Sequence, residues 1–167
     1  MSVLLIVMFG VYLVYDTAQA TFWKGEARAT IQQEGREALE QMRRELRMAG
    51  FDPSATGQPA VQNPTGGSLE FITDVDDNNA SDLVKYDRDA PSRTLRRSVR
   101  AWSGGAWGAA AVTTLATNVD SLSFQYFPSA AVPGLTRIRI TVQTSEAIPA
   151  HPAEGHLVST DVFLRNL

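Results

Sequence analysis

The chain has 167 residues, of which 44% are hydrophobic and 20% are charged, a balance that is typical of a folded domain and excludes a disordered chain. The formal net charge of −3 argues against a general nucleic-acid binder, because such proteins usually carry a basic excess. The absence of cysteine excludes disulfide bonds, thiolate metal sites and cysteine nucleophiles.

The first predicted element is an apolar helix that carries no charged residue from position 3 to position 15. Insertion of its side chains into a bilayer is favourable by about 3–5 kcal/mol. As a helix the run is about 20 Å long, which is shorter than a hydrocarbon core of about 30 Å. Its candidate membrane or helix-bundle residues are Val3, Leu4, Leu5, Ile6, Val7, Phe9, Val11, Leu13 and Val14.

Three interpretations of this run remain open: a membrane anchor, a buried core helix and a secretory signal peptide. The small-x-small sequence Ala18-Gln19-Ala20 has the form of a signal-peptide cleavage site. However, no Lys or Arg precedes the run, and the helical pattern continues past that site. The pattern therefore favours a membrane anchor, and its short length leads us to expect that the first turns of the anchor are missing from this sequence.

The helical pattern continues as an amphipathic segment up to Gly50, which is followed by Phe51-Asp52-Pro53. Gly caps a helix end well and Pro cannot continue the helix, so this sequence predicts the end of the element. Charged residues, including Glu40 and Glu45, are assigned to the outer faces of this segment. Apolar residues recur in steps of three and four, and they predict helix–sheet packing by Ile31, Leu39, Met42 and Leu46.

Beyond the helix the period of the hydrophobic residues changes from 3.6 to 2, which predicts short β-strands. The turn sequence Ser103-Gly104-Gly105-Ala106 predicts a hairpin in which Trp102 and Trp107 face each other. The fold class is therefore α+β, with a long N-terminal helix packed on an antiparallel sheet. The predicted strands are at 69–71, 83–86, 95–101, 121–126, 137–142 and 158–164. The predicted organisation is a membrane-anchoring part at 1–20, an amphipathic part of the same helix at 21–52 and a β-rich globular domain at 53–167.

An acidic loop provides the one candidate for a metal site. Asp74, Asp76, Asn78 and Asp82 occupy relative positions 1, 3, 5 and 9, as oxygen ligands do in a calcium loop. Position 6 is Asn79 where such loops have Gly, and position 12 is Lys85 where they have Glu. The pattern therefore favours a polar hairpin turn, with calcium binding as the alternative and no other cofactor expected.

A row of arginines comprises Arg88, Arg93, Arg96, Arg97 and Arg100, with acidic residues nearby. Its candidate contacts for nucleic acid are Arg93, Arg96 and Arg97. We interpret this row as a solvated strand face, with a nucleic-acid or partner-binding patch as the alternative. His151 and His156 flank Glu154 in a segment that we interpret as an ordinary loop and not as a metal site. The sequence contains no nucleophile elbow, zinc-protease motif or phosphate-binding loop, so we do not expect an enzyme.

The layout and several local motifs resemble those of type IV pilins and pseudopilins, in particular the PilW-type minor pilins and the related minor pseudopilin J of type II secretion. The resemblance covers most of the chain and depends on the order and spacing of its pieces. These are Glu37-Ala38-Leu39, Met42-Arg43-Arg44-Glu45-Leu46-Arg47-Met48-Ala49-Gly50-Phe51, Asp76-Asp77-Asn78, Val84-Lys85-Tyr86, Leu95-Arg96-Arg97, Asn118-Val119-Asp120-Ser121-Leu122-Ser123-Phe124-Gln125-Tyr126, Ile138-Arg139-Ile140-Thr141-Val142 and Val162-Phe163-Leu164-Arg165-Asn166-Leu167.

The resemblance implies a minor pilin that primes assembly of a type IV pilus near the filament tip. It implies a location in the bacterial inner membrane with the globular domain in the periplasm, or in the assembled pilus. The implied partners are other major and minor pilins, which contact the N-terminal helix, and the pilus assembly machinery. A pseudopilin of a secretion system is the close alternative, and a pilus-associated module for DNA uptake or adhesion is the other.

One feature of the family is absent. Its members carry a Gly-Phe-Thr-Leu-Ile-Glu-like processing motif after a basic leader, whereas Met1-Ser2-Val3-Leu4 resembles the stretch just beyond that motif. We therefore expect either a start assigned late or a truncated chain, and no processing residue is assigned to a position here.

Overall fold

The computed structural model describes residues 2–128, 134–146 and 154–165, and within them the chain folds as one helix with antiparallel strands. The predicted α+β class is therefore confirmed. The helix, α1, spans Ser2–Arg47. It ends in a turn that closes at Gly50, whose φ of 90° lies in the left-handed region that glycine adopts readily. The Gly50 N–H donates a hydrogen bond of 2.9 Å to the carbonyl of Ile72, so the helix end is tied directly to a strand.

The first sheet contains six strands, which pair in the order β1-β2-β3-β4-β5, and β6 also pairs with β4, on the side opposite β3. All pairs in this sheet are antiparallel. The strands are β1 at Val61–Gln62, β2 at Ser68–Thr73, β3 at Asp82–Asp89, β4 at Thr94–Ser103, β5 at Ala106–Trp107 and β6 at Ala111–Ala116. The sequence did not predict β1 or β6, because β1 is two residues long and β6 lacks an alternation of apolar and polar residues.

The second sheet contains the strands β7 at Val119–Phe127, β8 at Arg137–Glu146 and β9 at Glu154–Phe163, paired antiparallel in that order. The expectation of a single sheet is thus corrected to two, because β7 pairs with β8 and not with β6. The predicted alternation holds along its central strand, where Ile138, Ile140 and Val142 are buried and the residues between them are half-buried. Most of the predicted turn at 128–134 lies outside the described residues.

The core lies between the second half of α1 and the two sheets. Ile31, Leu39, Met42 and Leu46, which the sequence assigns to helix–sheet packing, are all buried, and Met42 and Leu46 have no exposed surface. Full burial of a side chain such as Leu46 contributes about 1.5–3 kcal/mol to folding. The helix contacts β6, β8 and β9, so residues of both sheets cover its apolar stripe.

The hairpin that joins β4 to β5 has the predicted form. Trp102 pairs with Trp107 across it, and their ring centroids lie 4.8 Å apart in an edge-to-face arrangement. The two turn residues, Gly104 and Gly105, have φ values of 59° and 91°. A two-residue hairpin turn with both φ values positive follows the twist of the strands, which explains why two glycines occur there.

Candidate functional site: the exposed apolar helix segment, the arginines and the acidic loop

The first half of α1 carries large apolar side chains that no described part of the chain covers. Val14 and Phe22 are both 71% exposed, and Leu13, the least exposed of the group, is still 49% exposed. A soluble monomer seldom exposes a contiguous apolar patch of this extent without an interaction for it. The exposed residues are Val7, Met8, Phe9, Val11, Tyr12, Leu13, Val14, Tyr15 and Phe22, which together we call the apolar segment.

The remaining anchor candidates are Val3, Leu4, Leu5 and Ile6. They belong to α1, but their side chains lie outside the described set. No helix within the described ranges has a stretch both long enough and apolar enough to cross a membrane.

Among the described side chains, contacts between the helix and the domain begin about two turns after the apolar segment ends. Ile31 is the first buried side chain among the described positions of α1. Gln32 hydrogen-bonds to the ring of His156 on β9, and Glu34 accepts hydrogen bonds from the backbone N–H and the hydroxyl of Thr117, each at 3.0 Å. The loop expected here is corrected to a strand, because Glu154 and His156 belong to β9. His156 contacts the helix, while His151 lies outside the described residues. The helix therefore has two regions: an exposed apolar one and one docked on the domain.

At the other end of the helix Glu45 and Arg97 form a buried ion pair. The guanidinium of Arg97 lies 3.0 Å from the Glu45 carboxylate, and the two side chains are only 14% and 9% exposed. The Tyr86 hydroxyl donates a hydrogen bond of 2.6 Å to the same carboxylate. Burial, followed by the charge of Glu45, raises the pKa of Tyr86 well above its usual value, so this hydroxyl stays protonated and remains a donor.

Two assignments from the sequence are therefore wrong. Arg97 was assigned to a solvated strand face, but it projects toward the core side of β4 with Leu95. Glu45 was assigned to an outer face of the helix, yet it is 7% exposed. The spacing could have identified it, because Ala38, Met42, Glu45 and Ala49 follow one another in steps of three and four along one stripe.

The other two arginines of the predicted patch also have acidic partners. Arg93 binds Asp120 at 2.5 Å, and it donates to the carbonyl and hydroxyl of Ser145 at 3.1 and 2.9 Å, so it joins the two sheets. Arg96 forms a bidentate pair with Asp87 at 3.2 and 3.0 Å. The charges of these three arginines are paired within the domain, but the side chains of Arg93 and Arg96 are each 35% exposed, so the interpretation as a solvated face is corrected only for Arg97.

The acidic loop between β2 and β3 brings together three of its four candidate ligands. One carboxylate oxygen from each of Asp74, Asp76 and Asp82 lies within 4.8 Å of the others. The fourth candidate, Asn78, uses its side-chain oxygen to accept a hydrogen bond of 2.7 Å from the N–H of Ala80. The arrangement therefore comprises three carboxylates, Asp74 and Asp82 being buried and Asp76 exposed.

The two departures from a calcium-loop sequence have structural explanations. Asn79, at the position of the usual Gly, has a φ of 62°, a left-handed conformation that Asn tolerates better than most residues. Lys85, at the position of the usual Glu, forms ion pairs with Glu70 and Asp87 in the sheet and is not part of the loop. Burial raises the pKa of Asp82, and the charges of Asp76 and Asp74 act in the same direction.

A search with family models, with curated proteins and with solved structures found no match to this chain.

Proposed function

We propose that this chain is a pilin-like structural subunit of a filament and not an enzyme. In this proposal a long N-terminal helix serves two purposes, since its second half packs on the β-rich domain and its first half anchors and assembles the subunit. The observation that carries the proposal is the apolar segment, whose side chains are 49–71% exposed although the helix is docked on the domain from Ile31 onwards.

The apolar segment needs an environment that the domain does not provide. Lipid provides it before assembly, and the helices of neighbouring subunits provide it within a filament. The order of the motifs that resemble PilW-type minor pilins supports the second environment. We therefore propose a minor pilin that takes part in priming the filament. The close alternative is a pseudopilin of a secretion system, which has a similar function in assembly.

The arginine row argues against a nucleic-acid receptor as the main function. Affinity for a phosphate backbone depends on cations that are free to replace counterions. Arg93, Arg96 and Arg97 are instead engaged by Asp120, Asp87 and Glu45. DNA binding through these arginines would have to break the three ion pairs, so a structural subunit of a filament is the better proposal.

Membrane extraction with alkaline carbonate tests the proposal on the full chain in its native cells. We expect the parent protein to remain with the membrane or filament fraction and the double variant Val11→Arg/Val14→Arg to be released. Each arginine opposes insertion by about 2.5–3.5 kcal/mol, so two outweigh the favourable 3–5 kcal/mol of the whole run.

The control is Val112→Arg on β6, which places one arginine at another exposed apolar residue. It should fractionate like the parent protein. Release of the parent, or equal retention of the double variant, would contradict the proposal.

A further inference from the structure

The acidic loop carries an inference that is independent of the proposed function. We infer that Asp74, Asp76 and Asp82, together with the hydroxyl of Thr73, form a binding site for Ca²⁺ at the loop that joins β2 to β3.

The first observation is the spacing of the carboxylates. Oxygens that bind one Ca²⁺ at about 2.4 Å are no more than about 4.8 Å from one another. One oxygen from each of Asp74, Asp76 and Asp82 meets this limit, because all three lie within 4.8 Å. Asp74 and Asp76 lie in the loop that follows β2, and Asp82 is the first residue of β3, where it pairs with Thr73.

The second observation is a buried hydroxyl beside these carboxylates. Thr73 has no exposed surface, and its Oγ1 has no hydrogen-bond partner within the part of the chain that the structure describes. Thr73 is the direct cross-strand partner of Asp82, and such partners project from the same face of an antiparallel pair. The Thr73 side chain thus lies on the same face of the sheet as that of Asp82, where its hydroxyl can supply a fourth oxygen ligand.

The third observation is the charge. Asp74 and Asp82 are only 3% and 4% exposed, and buried carboxylates usually have a cationic partner. The guanidinium that attracts Asp82 is that of Arg97, which already pairs with Glu45 at 3.0 Å. The cluster therefore retains negative charge that a divalent cation would neutralise.

The ligand chemistry favours calcium over magnesium. Ca²⁺ accepts an irregular shell of six to eight oxygens, whereas Mg²⁺ demands a near-ideal octahedron and keeps several of its waters. Three carboxylates on a turn and one side-chain hydroxyl form an irregular set. Asp76 is exposed, so water can complete the coordination shell from the solvent side.

The test is a titration of the full chain in detergent micelles with CaCl₂ and, separately, with MgCl₂, after removal of metal by a chelator. We expect one saturable site for Ca²⁺, with Kd on the order of 10⁻⁴–10⁻³ M, and a rise in Tm on binding. No saturable Ca²⁺ binding, or equal affinity for Mg²⁺, would overturn the inference.

Two variants of the loop test whether Asp76 binds Ca²⁺ directly or only adds negative charge to the loop. Asp76→Asn should weaken Ca²⁺ binding about tenfold or more, because it removes a ligand from an exposed position that the fold does not need. Asp77→Asn removes the same charge from the same loop, outside the cluster, and Asn tolerates the φ of 56° at this position. It should bind Ca²⁺ like the parent, and equal weakening by both variants would overturn the site.

Thr73→Val separates the proposed ligand from a merely structural residue. The change should weaken Ca²⁺ binding several-fold and yet leave the Tm of the metal-free protein unchanged or raised, since valine has no hydroxyl to leave unpaired. An unchanged Ca²⁺ affinity would show that Thr73 is not a ligand.

Discussion

The guanidinium of Arg97 lies 3.0 Å from the carboxylate of Glu45, so the central strand β4 is held against the last turn of the helix inside the protein. The hydroxyl of Tyr86 binds the same carboxylate, so all three side chains depend on one another. Burial acts to lower the pKa of Arg97, but its bonds to Glu45 outweigh this and raise it, so Arg97 remains charged.

We predict that Arg97→Ser strongly destabilises the protein. Removal of one member of a buried ion pair leaves the other charge unpaired and typically costs about 3–5 kcal/mol. Urea denaturation of the full chain in detergent micelles measures this loss. Arg96→Ser is the matched control on the same strand, and it should cost only about 0–1 kcal/mol because its pair with Asp87 is closer to solvent. Equal losses for the two variants would contradict this prediction.

A second prediction concerns the docked face of the helix. Leu46→Asp places an unpaired charge at a position with no exposed surface, and we expect it to unfold the domain or lower its stability by more than about 4 kcal/mol. Glu40→Lys disrupts an exposed pair with Arg43 at 3.3 Å and should change stability by less than about 1 kcal/mol. Thermal melts of the two variants compare the effects, and similar Tm values would show that the helix docks through another face.

A third prediction concerns the end of the helix. Gly50→Ala should destabilise the protein by about 1–2 kcal/mol, because an L-residue is strained at the φ of 90° that this position adopts. Gly67→Ala is the control, since a Cβ added there meets no atom within 4 Å. It should be neutral or slightly stabilising because it reduces the entropy of the unfolded chain. A loss of stability in the control as large as that of Gly50→Ala would contradict this explanation.

A fourth prediction concerns pH and the joint between the two sheets. The hydroxyl of Ser145, and then Arg93, lower the pKa of Asp120 below its usual value. A carboxyl group whose pKa is lowered in the folded state stabilises the protein above the unfolded pKa of about 3.9. This stabilisation is lost as the pH falls through the folded pKa. The difference in Tm between the parent and Asp120→Asn should therefore be largest above about pH 5 and shrink toward acid. A difference in Tm that stays constant across this pH range would contradict a lowered pKa of Asp120.

The sequence predicted the features that depend on local periodicity and turn chemistry. Gly50 ends the helix, Trp102 faces Trp107, and the alternation around Ile140 defines a half-buried strand. The strand β6 was missed because its sequence, Ala-Val-Thr-Thr-Leu-Ala, has no alternation and its position depends on pairing with β4.

The errors at Arg97 and Glu45 have a different cause. The residue types predicted solvent exposure, but long-range packing decides where a charge lies. Glu45 is 52 residues from Arg97 in sequence, and Arg93 meets Ser145 across an equal separation. In the acidic loop the sequence could propose Asp82 as a ligand, but the unpaired hydroxyl of Thr73 emerges only from the register of β2 and β3.

Cysteine accessibility tests the central claim most directly, and the chain has no cysteine of its own, so one introduced residue is unique. Val14→Cys lies in the apolar segment, and Ser159→Cys lies at an exposed position of β9. Each variant is treated with a membrane-impermeant maleimide in opened cells and in isolated filaments, and labelling is compared with that of the denatured protein.

We predict that Ser159→Cys labels rapidly in both preparations and that Val14→Cys is protected in both, by lipid in one and by neighbouring helices in the other. Both variants should label fully after denaturation. Labelling of Val14→Cys as fast as that of Ser159→Cys, in the membrane and in the filament, would contradict a helix that anchors and assembles this subunit.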